Sequence, residues 1–531
     1  MPATKEHINE VLDSIARRNR GPGGAIAVLK DGELLAQRVW GFADLSQRIP
    51  LSPRTQLPIC SITKQFICAL ILDLERTPLP GPSIRSQLSA QLSEILPELS
   101  DEITIDHLCH MQSGLRDYWA MTTLLGAKPD DEFLIERDGP GMTVRAKSVH
   151  FKPGSEFSYC NLNFYILGRA LERVTGKSLD ELLQERILRP AGMETAFLCP
   201  NTAEHPAPCV GYEGDERGGF MPAVNRMEWA GDAGLVASLA DMIAYEKYLD
   251  RCYADSESWY REAIEGPVFG DGTPAPYRFG LSHGHIGGVK TVGHGGALRG
   301  YRLERRHVPT ERLSVVVLLN SDADSSEPGA EIIREVLDIP KPALSVVKPV
   351  DDWFGAFMDQ DTQLAIVVSK GAREGEVAIS YAGEVENITL SEPNHGKNDA
   401  MVATIDGDSL DIHRVEDNRR LRAHRIVPDE SILKKIPFQG VYHCAEIEST
   451  FHCIGEAGTF YGAFDGYLGQ GHATPMKYLG GDVWVLTCPR GLDAPAPGDW
   501  TVNFHRDENN AVNGLTIGCW LARGIEYIKK I

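Results

Sequence analysis

The chain of 531 residues is 42% hydrophobic and 24% charged, a globular balance that excludes collagen, long coiled coil and wholesale disorder. Its net charge of −21, from 53 basic and 74 acidic side chains, repels phosphate backbones and argues against nucleic acid as a partner. No run approaches the ~20 apolar residues of a membrane span, and length alone suggests about three or four domains.

The first segment, MPATKEHINEVLDSIARRNR, carries charges of both signs and lacks the apolar core of a signal peptide. Its Ile8, Val11, Leu12, Ile15 and Ala16 recur at helical spacing. The eleven cysteines are scattered and never form a Cys-x-x-Cys pair. Together these features predict a cytoplasmic protein with free thiols.

Two β-rich runs then flank Asp31-Gly32, a dipeptide suited to a tight hairpin turn. Helical patterns dominate from residue 56 to 250, among them Phe66, Ile67, Leu70, Ile71 and Leu74. Strand-like runs return at Lys290–Val292, Tyr301–His307 and Leu313–Leu319. This order predicts an antiparallel sheet built from both ends of one unit, residues 1–338, and packed by helices. Pro340, Pro342 and Pro349 mark a boundary, beyond which short alternating runs and turn signals predict β structure. Trp353-Phe354-Gly355-Ala356-Phe357 resembles Phe438-Gln439-Gly440-Val441-Tyr442, so we expect two antiparallel β-barrels, at 339–434 and 435–531. The predicted class is α+β followed by all-β.

The strongest chemical signal is ICSITKQFICALILDLE, in which Ser61 and Lys64 share one face at the head of an apolar helix. A serine hydroxyl needs a nearby base, and a lysine serves only when burial and positive potential lower its pKa. Two other Ser-x-x-Lys runs, at Ser345–Lys348 and Ser431–Lys434, open no long apolar helix. Tyr159-Cys160-Asn161 supplies a phenol for proton exchange and an amide for holding lysine and substrate. His294-Gly295-Gly296-Ala297 lies on a glycine-rich strand, where a substrate backbone could lie close.

Ser-x-x-Lys, Tyr-x-Asn and His-x-Gly in this order, with the stretch ITIDHLCHMQSGLRDY between the first two, resemble the penicillin-recognising serine hydrolases. The runs PICSITKQF, QSGLRDYWA, SYCNLNF, WAGDAG, GHGGALRG, GAFDGYLG, LDAPAPGDW and GCWLARGIEY are similar to those of its D-aminopeptidase branch. The resemblance implies a β-lactamase-like catalytic unit and two barrels, the last sending the loop 489–499 to the active site. It implies Ser61 as nucleophile, Lys64 and Tyr159 as proton carriers, Asn161 as orienting group, and His294 near the leaving group. Backbone N–H groups of Ser61 and Ala297 would form the oxyanion hole, Gly295 and Gly296 would face substrate, and Asp493 would hold its ammonium. The implied substrates are small D-amino-acid amides or short peptides, with β-lactams as inhibitors, no cofactor, no metal, and a homodimer.

Competing uses of these residues are a β-lactamase-related esterase and a catalytically idle binding protein. His107, Cys109 and His110 could suggest a metal site, and His285-Ile286-Gly287 or Lys290-Thr291-Val292 could replace His294 as the third motif. The stretch Tyr277–His283 departs from the relative, with side chains expected toward the cleft.

Overall fold

A computed structural model describes residues 4–341, 345–429, 438–456, 459–488 and 490–530. Thr4 caps the first helix, Lys5–Arg18, by accepting the His7 N–H at 3.2 Å, and Ile8, Val11, Leu12 and Ile15 are buried. The hairpin turns at Asp31 and Gly32 with positive φ, joining Gly23–Lys30 to Glu33–Asp44.

Gly23–Lys30 then pairs antiparallel with Leu313–Leu319, register Ala27 to Val316, so both ends of the unit meet in one sheet. Tyr301–Val308, Val289–Leu298, Leu281–Ile286 and Tyr277–Arg278 extend it. The two central strands are apolar almost throughout because both faces are covered. Ile26, Val28, Val315 and Val317 pack with Lys5–Arg18 and the helix Ser326–Leu337, whereas Ala25, Ala27, Val316 and Leu318 face the helical region.

In that region Thr63–Arg76 is buried on nearly every side. Its entry is positioned by the pairing of Gln56–Pro58 with Leu235–Ser238, by Ile59 N–H to Leu235 O (2.9 Å), and by Leu235 N–H to Thr63 Oγ1 (3.1 Å). Helix Asn161–Thr175 ends at Gly176 in the left-handed region, and Ser113 Oγ donates to its Asn163 at 2.8 Å.

Gly355–Asp359 through Arg419–Arg425 form a closed eight-stranded barrel with its own core, including Trp353, Phe357, Ile379 and Leu410. A second barrel runs from Gly440–Cys444 to Ala522–Lys529 and closes through Ser449–Glu456 and Thr459–Gly466. The two similar pentapeptides each open a barrel, at Gly355 and Gly440. The second barrel's core is continuous with that of the helical region. Arg116 ties the two by donating to Glu446 (2.9 Å) and to the Arg523 carbonyl (2.9 Å). The boundary expected at 434/435 and the run Ser431–Lys434 lie outside the described residues. Among the described residues no helix is long and apolar enough to cross a membrane, and all eleven cysteines are unpaired.

Candidate active site

Ser61 occupies the short turn Cys60–Ile62 that leads into Thr63–Arg76. Cys60 has φ 53°, a strained conformation for a residue with a side chain, of order 1–3 kcal/mol. Strand Val289–Leu298 lies against this turn. Leu281–Ile286 pairs with it only from Val289 to Gly293, so among the described pairings that edge is free from His294 onward. A Cβ on Gly296 would come within 2.6 Å of the Ile59 carbonyl, so the strand needs glycine there to approach.

Lys64 is fully buried and points its Nζ at three oxygens: Ser61 Oγ (3.0 Å), Asn161 Oδ1 (2.8 Å) and the Asp232 carbonyl (2.6 Å). Burial lowers its pKa to about 8, against the opposing pull of the Asp232 and Asp117 carboxylates. Ser61 and the Tyr159 phenol line the same cleft. Burial raises that phenol above its ordinary range, so it keeps its proton, and Lys64 Nζ lies 5.0 Å from the ring centroid.

His294 is buried, which lowers its pKa to about 3 with help from the Lys64 charge, and it is neutral. Its Nδ1–H donates to the Gly295 carbonyl at 2.5 Å, so Nε2 accepts from the Tyr277 hydroxyl at 2.8 Å. Both ring nitrogens are therefore occupied, and the ring stands 6.2 Å from that of Tyr159, centroid to centroid.

Ser61, Tyr159, Asn161 and His294 meet at one cleft of about 360 Å³. Ser61, Tyr159, Asn161 and the run His294–Leu298 face it, Trp119 and Trp229 supply apolar wall, and Ala494 and Pro495 reach it from the second barrel. The arrangement joins a serine hydroxyl, a low-pKa amine, a protonated phenol and a free strand edge, a set of groups that can serve acyl transfer.

The comparisons with known proteins agree. A β-lactamase family model matches residues 8–338, and one for D-aminopeptidase domain B matches residues 346–528. The curated D-aminopeptidase of Brucella melitensis is 41% identical over 97% of this chain and 97% of its own. That of Brucella anthropi is 40% identical over 97% and 96%. The chain belongs to the D-aminopeptidase family. Among solved structures, a penicillin-binding protein homologue from Pyrococcus abyssi covers 79% of this chain and 99% of its own, with TM-score 0.55 and 22% identity. D-amino acid amidase from Ochrobactrum anthropi SV3, complexed with D-phenylalanine, covers 62% and 98%, with TM-score 0.50 and 18% identity. At such identities these two share the fold alone.

In this D-aminopeptidase-family chain, Ser61, Tyr159, Asn161, His294, Gly295, Gly296 and Ala297 lie together at the cleft, with Lys64 behind Ser61. Asp493 takes a different place from the one expected. It is 3% exposed, and its Oδ2 accepts from Thr202 Oγ1 (2.6 Å) and from the backbone N–H groups of Arg226 and Met227 (both 2.8 Å). The carboxylate thus anchors the loop to the catalytic unit, and its neighbours Ala494 and Pro495 face the cleft. Pro489 of that loop lies outside the described residues.

The stretch Tyr277–His283 does not line the cleft; Tyr277 instead stands behind His294. His107 accepts from Thr104 N–H in a capping box, and His110 packs edge-on against Phe279. His285 and Lys290 pair with each other in the hairpin beyond the cleft, and Ser345 donates to the Leu390 carbonyl.

Sequence reasoning missed Asp117, Asp232 and Tyr118. Asp117 is buried, which raises its pKa to about 7, and it accepts from Asn161 Nδ2–H at 2.8 Å. Tyr118 donates to the Asp232 carboxylate at 2.6 Å. These residues sit inside two quoted runs, QSGLRDYWA and WAGDAG, whose residue types alone assign no role.

Proposed function

We propose that this protein is a D-stereospecific serine aminopeptidase that releases amino-terminal D-residues from small amides and short peptides through an ester on Ser61. The observation that carries this function is the trio of Lys64 contacts. Two of its three acceptors, the Asn161 amide oxygen and the Asp232 carbonyl, have no proton to give back. When Lys64 loses its proton, its two remaining N–H groups stay on those oxygens and its lone pair turns to Ser61 Oγ. Lys64 then takes the hydroxyl proton as Ser61 attacks the carbonyl carbon. Tyr159, still protonated, gives its proton to the departing amine and recovers one from the water that later attacks the ester, while Lys64 returns its own to Ser61 Oγ. Backbone N–H groups of Ser61 and Ala297 would receive the oxyanion, each worth roughly 3–4 kcal/mol of barrier. Water then hydrolyses the ester. His294, neutral and held by Tyr277, shapes the strand beside Tyr159 and transfers no proton.

The family supports D-selectivity, since relatives 41% identical over nearly the whole chain are D-aminopeptidases. The presence of Ala494 and Pro495 in the cleft lining supports a short acyl side, as removal of single residues requires. We also propose the partition into units 1–338, 339–434 and 435–531, acylation by β-lactams, a homodimer, and a cytoplasmic setting consistent with the free thiols.

A panel of D-alanine, L-alanine and glycine amides, each with free and acetylated amine, tests the assignment. Free-amine D-alanine and glycine amides should exceed the L-form by at least about a hundredfold in kcat/KM. Faster turnover of a short acyl ester than of every D-amide would assign an esterase instead.

A further inference from the structure

The proposed reaction has an acyl side and a leaving side, and the strand Val289–Leu298 runs between them. Ser61 and Ala297 mark the carbonyl. Beyond Ala297 lie Leu298 and the Ala494–Pro495 tip; before it lie Gly295 and His294, beside the Tyr159 ring. The departing amine takes its proton from the Tyr159 side, so the leaving group extends toward Gly295.

Glu304 stands at that end. It is the register partner of Gly295 on the adjacent strand, lines the cleft, and is 5% exposed. Its Oε1 accepts from Arg306 Nε (2.8 Å) and lies 2.7 Å from Nη2 in the same ion pair. Its Oε2 accepts no hydrogen bond among the described residues, and a Cβ on Gly295 would sit 3.2 Å from it. The missing side chain at 295 is what leaves this oxygen room over the strand.

The charges around it favour no anion. Arg306 balances Glu304 on one oxygen, but Asp324 adds a second negative charge nearby. The amino end of helix Ser326–Leu337 would attract a carboxylate, yet Asp324 already occupies it, accepting from Ser326 N–H at 2.8 Å and Ser326 Oγ at 2.7 Å. Arg305 and Arg302 are already paired, with Glu246 (2.5 Å) and Asp322 (2.8 Å).

We infer that Glu304 sets specificity at the leaving-group end: it disfavours a leaving residue with a free carboxylate and favours amides, longer peptides and positively charged leaving amines. This builds on the aminopeptidase assignment above.

The test compares D-Ala-Gly with D-Ala-Gly amide. The wild type should prefer the amide by at least about tenfold in kcat/KM, and Glu304→Gln, which can keep the Arg306 contact, should narrow that ratio about fivefold or more by gaining on the free acid. A ratio within about twofold of wild type in this variant would overturn the proposal. A measurement on the wild type alone guards against a misfolded variant: D-alanine aminoethylamide, with its cationic tail, should outpace the neutral propylamide, and equal rates would also overturn it. D-Alanine p-nitroanilide, run beside them, reports on the aminopeptidase assignment separately. If it is not cleaved, that assignment falls, and the same acid and amide pair on whatever acyl group the enzyme accepts still decides the role of Glu304.

Discussion

Asp117 holds Asn161 at two points: Oδ1 accepts its backbone N–H at 3.2 Å and Oδ2 its side-chain Nδ2–H at 2.8 Å. A carboxylate only accepts, so the amide nitrogen must face Asp117 and the amide oxygen must face Lys64. The same carboxylate also raises the pKa of Lys64 against the effect of burial. Asp117→Asn should therefore lower kcat by roughly a hundredfold through a misplaced amide. It should also move the acid limb of kcat/KM to lower pH, because Lys64 loses a charge that favours its protonated form. A pH–rate profile of the variant checks both.

The wild-type profile carries its own sign. Below about 8 Lys64 holds its proton and has no lone pair for Ser61, so kcat/KM should climb as pH rises through that value and level above it. Lys64→Arg should be inactive at every pH, since a guanidinium does not deprotonate. Measured activity in that variant near neutral pH would assign the base elsewhere.

Ser61→Ala should lower turnover by roughly 10⁴-fold or more with little change in melting temperature. In the wild type, long exposure to penicillin should leave one covalent adduct, absent from the variant, on mass spectrometry.

Asp493 offers a sharper choice. Its Oδ2 takes three donors, and an asparagine oxygen can take the same three. Asp493→Asn should keep most activity on free-amine substrates, whereas Asp493→Ala should loosen the loop and lower kcat/KM by about tenfold or more. An ammonium role would give the opposite pattern, with Asp493→Asn losing free-amine substrates selectively, and kinetics on free and acetylated amides separate the two.

Gly296→Ala should push the strand off the serine turn, because the new methyl would meet the Ile59 carbonyl at 2.6 Å and Cys60 Cβ at 3.1 Å. A shift of about 1 Å there should reduce kcat by roughly a hundredfold with a smaller change in KM. Steady-state kinetics together with a thermal melt distinguish this from global unfolding.

Residue type and local spacing determined a good deal on their own. The covered sheet strands read as continuous apolar runs, the barrels as alternating ones, and Ser61 with Lys64 as one helix face, because these depend only on neighbours along the chain. Tertiary packing alone decided which distant partners each polar group met. Asp117 reaches Asn161 because the helix Asn161–Thr175 lies against its segment, and Glu304 faces the cleft because it is paired across from a glycine. Asp493 turned to Thr202 and two backbone N–H groups because a buried carboxylate must take the donors the folded surface presents, and no spacing in the sequence announces where those donors will be.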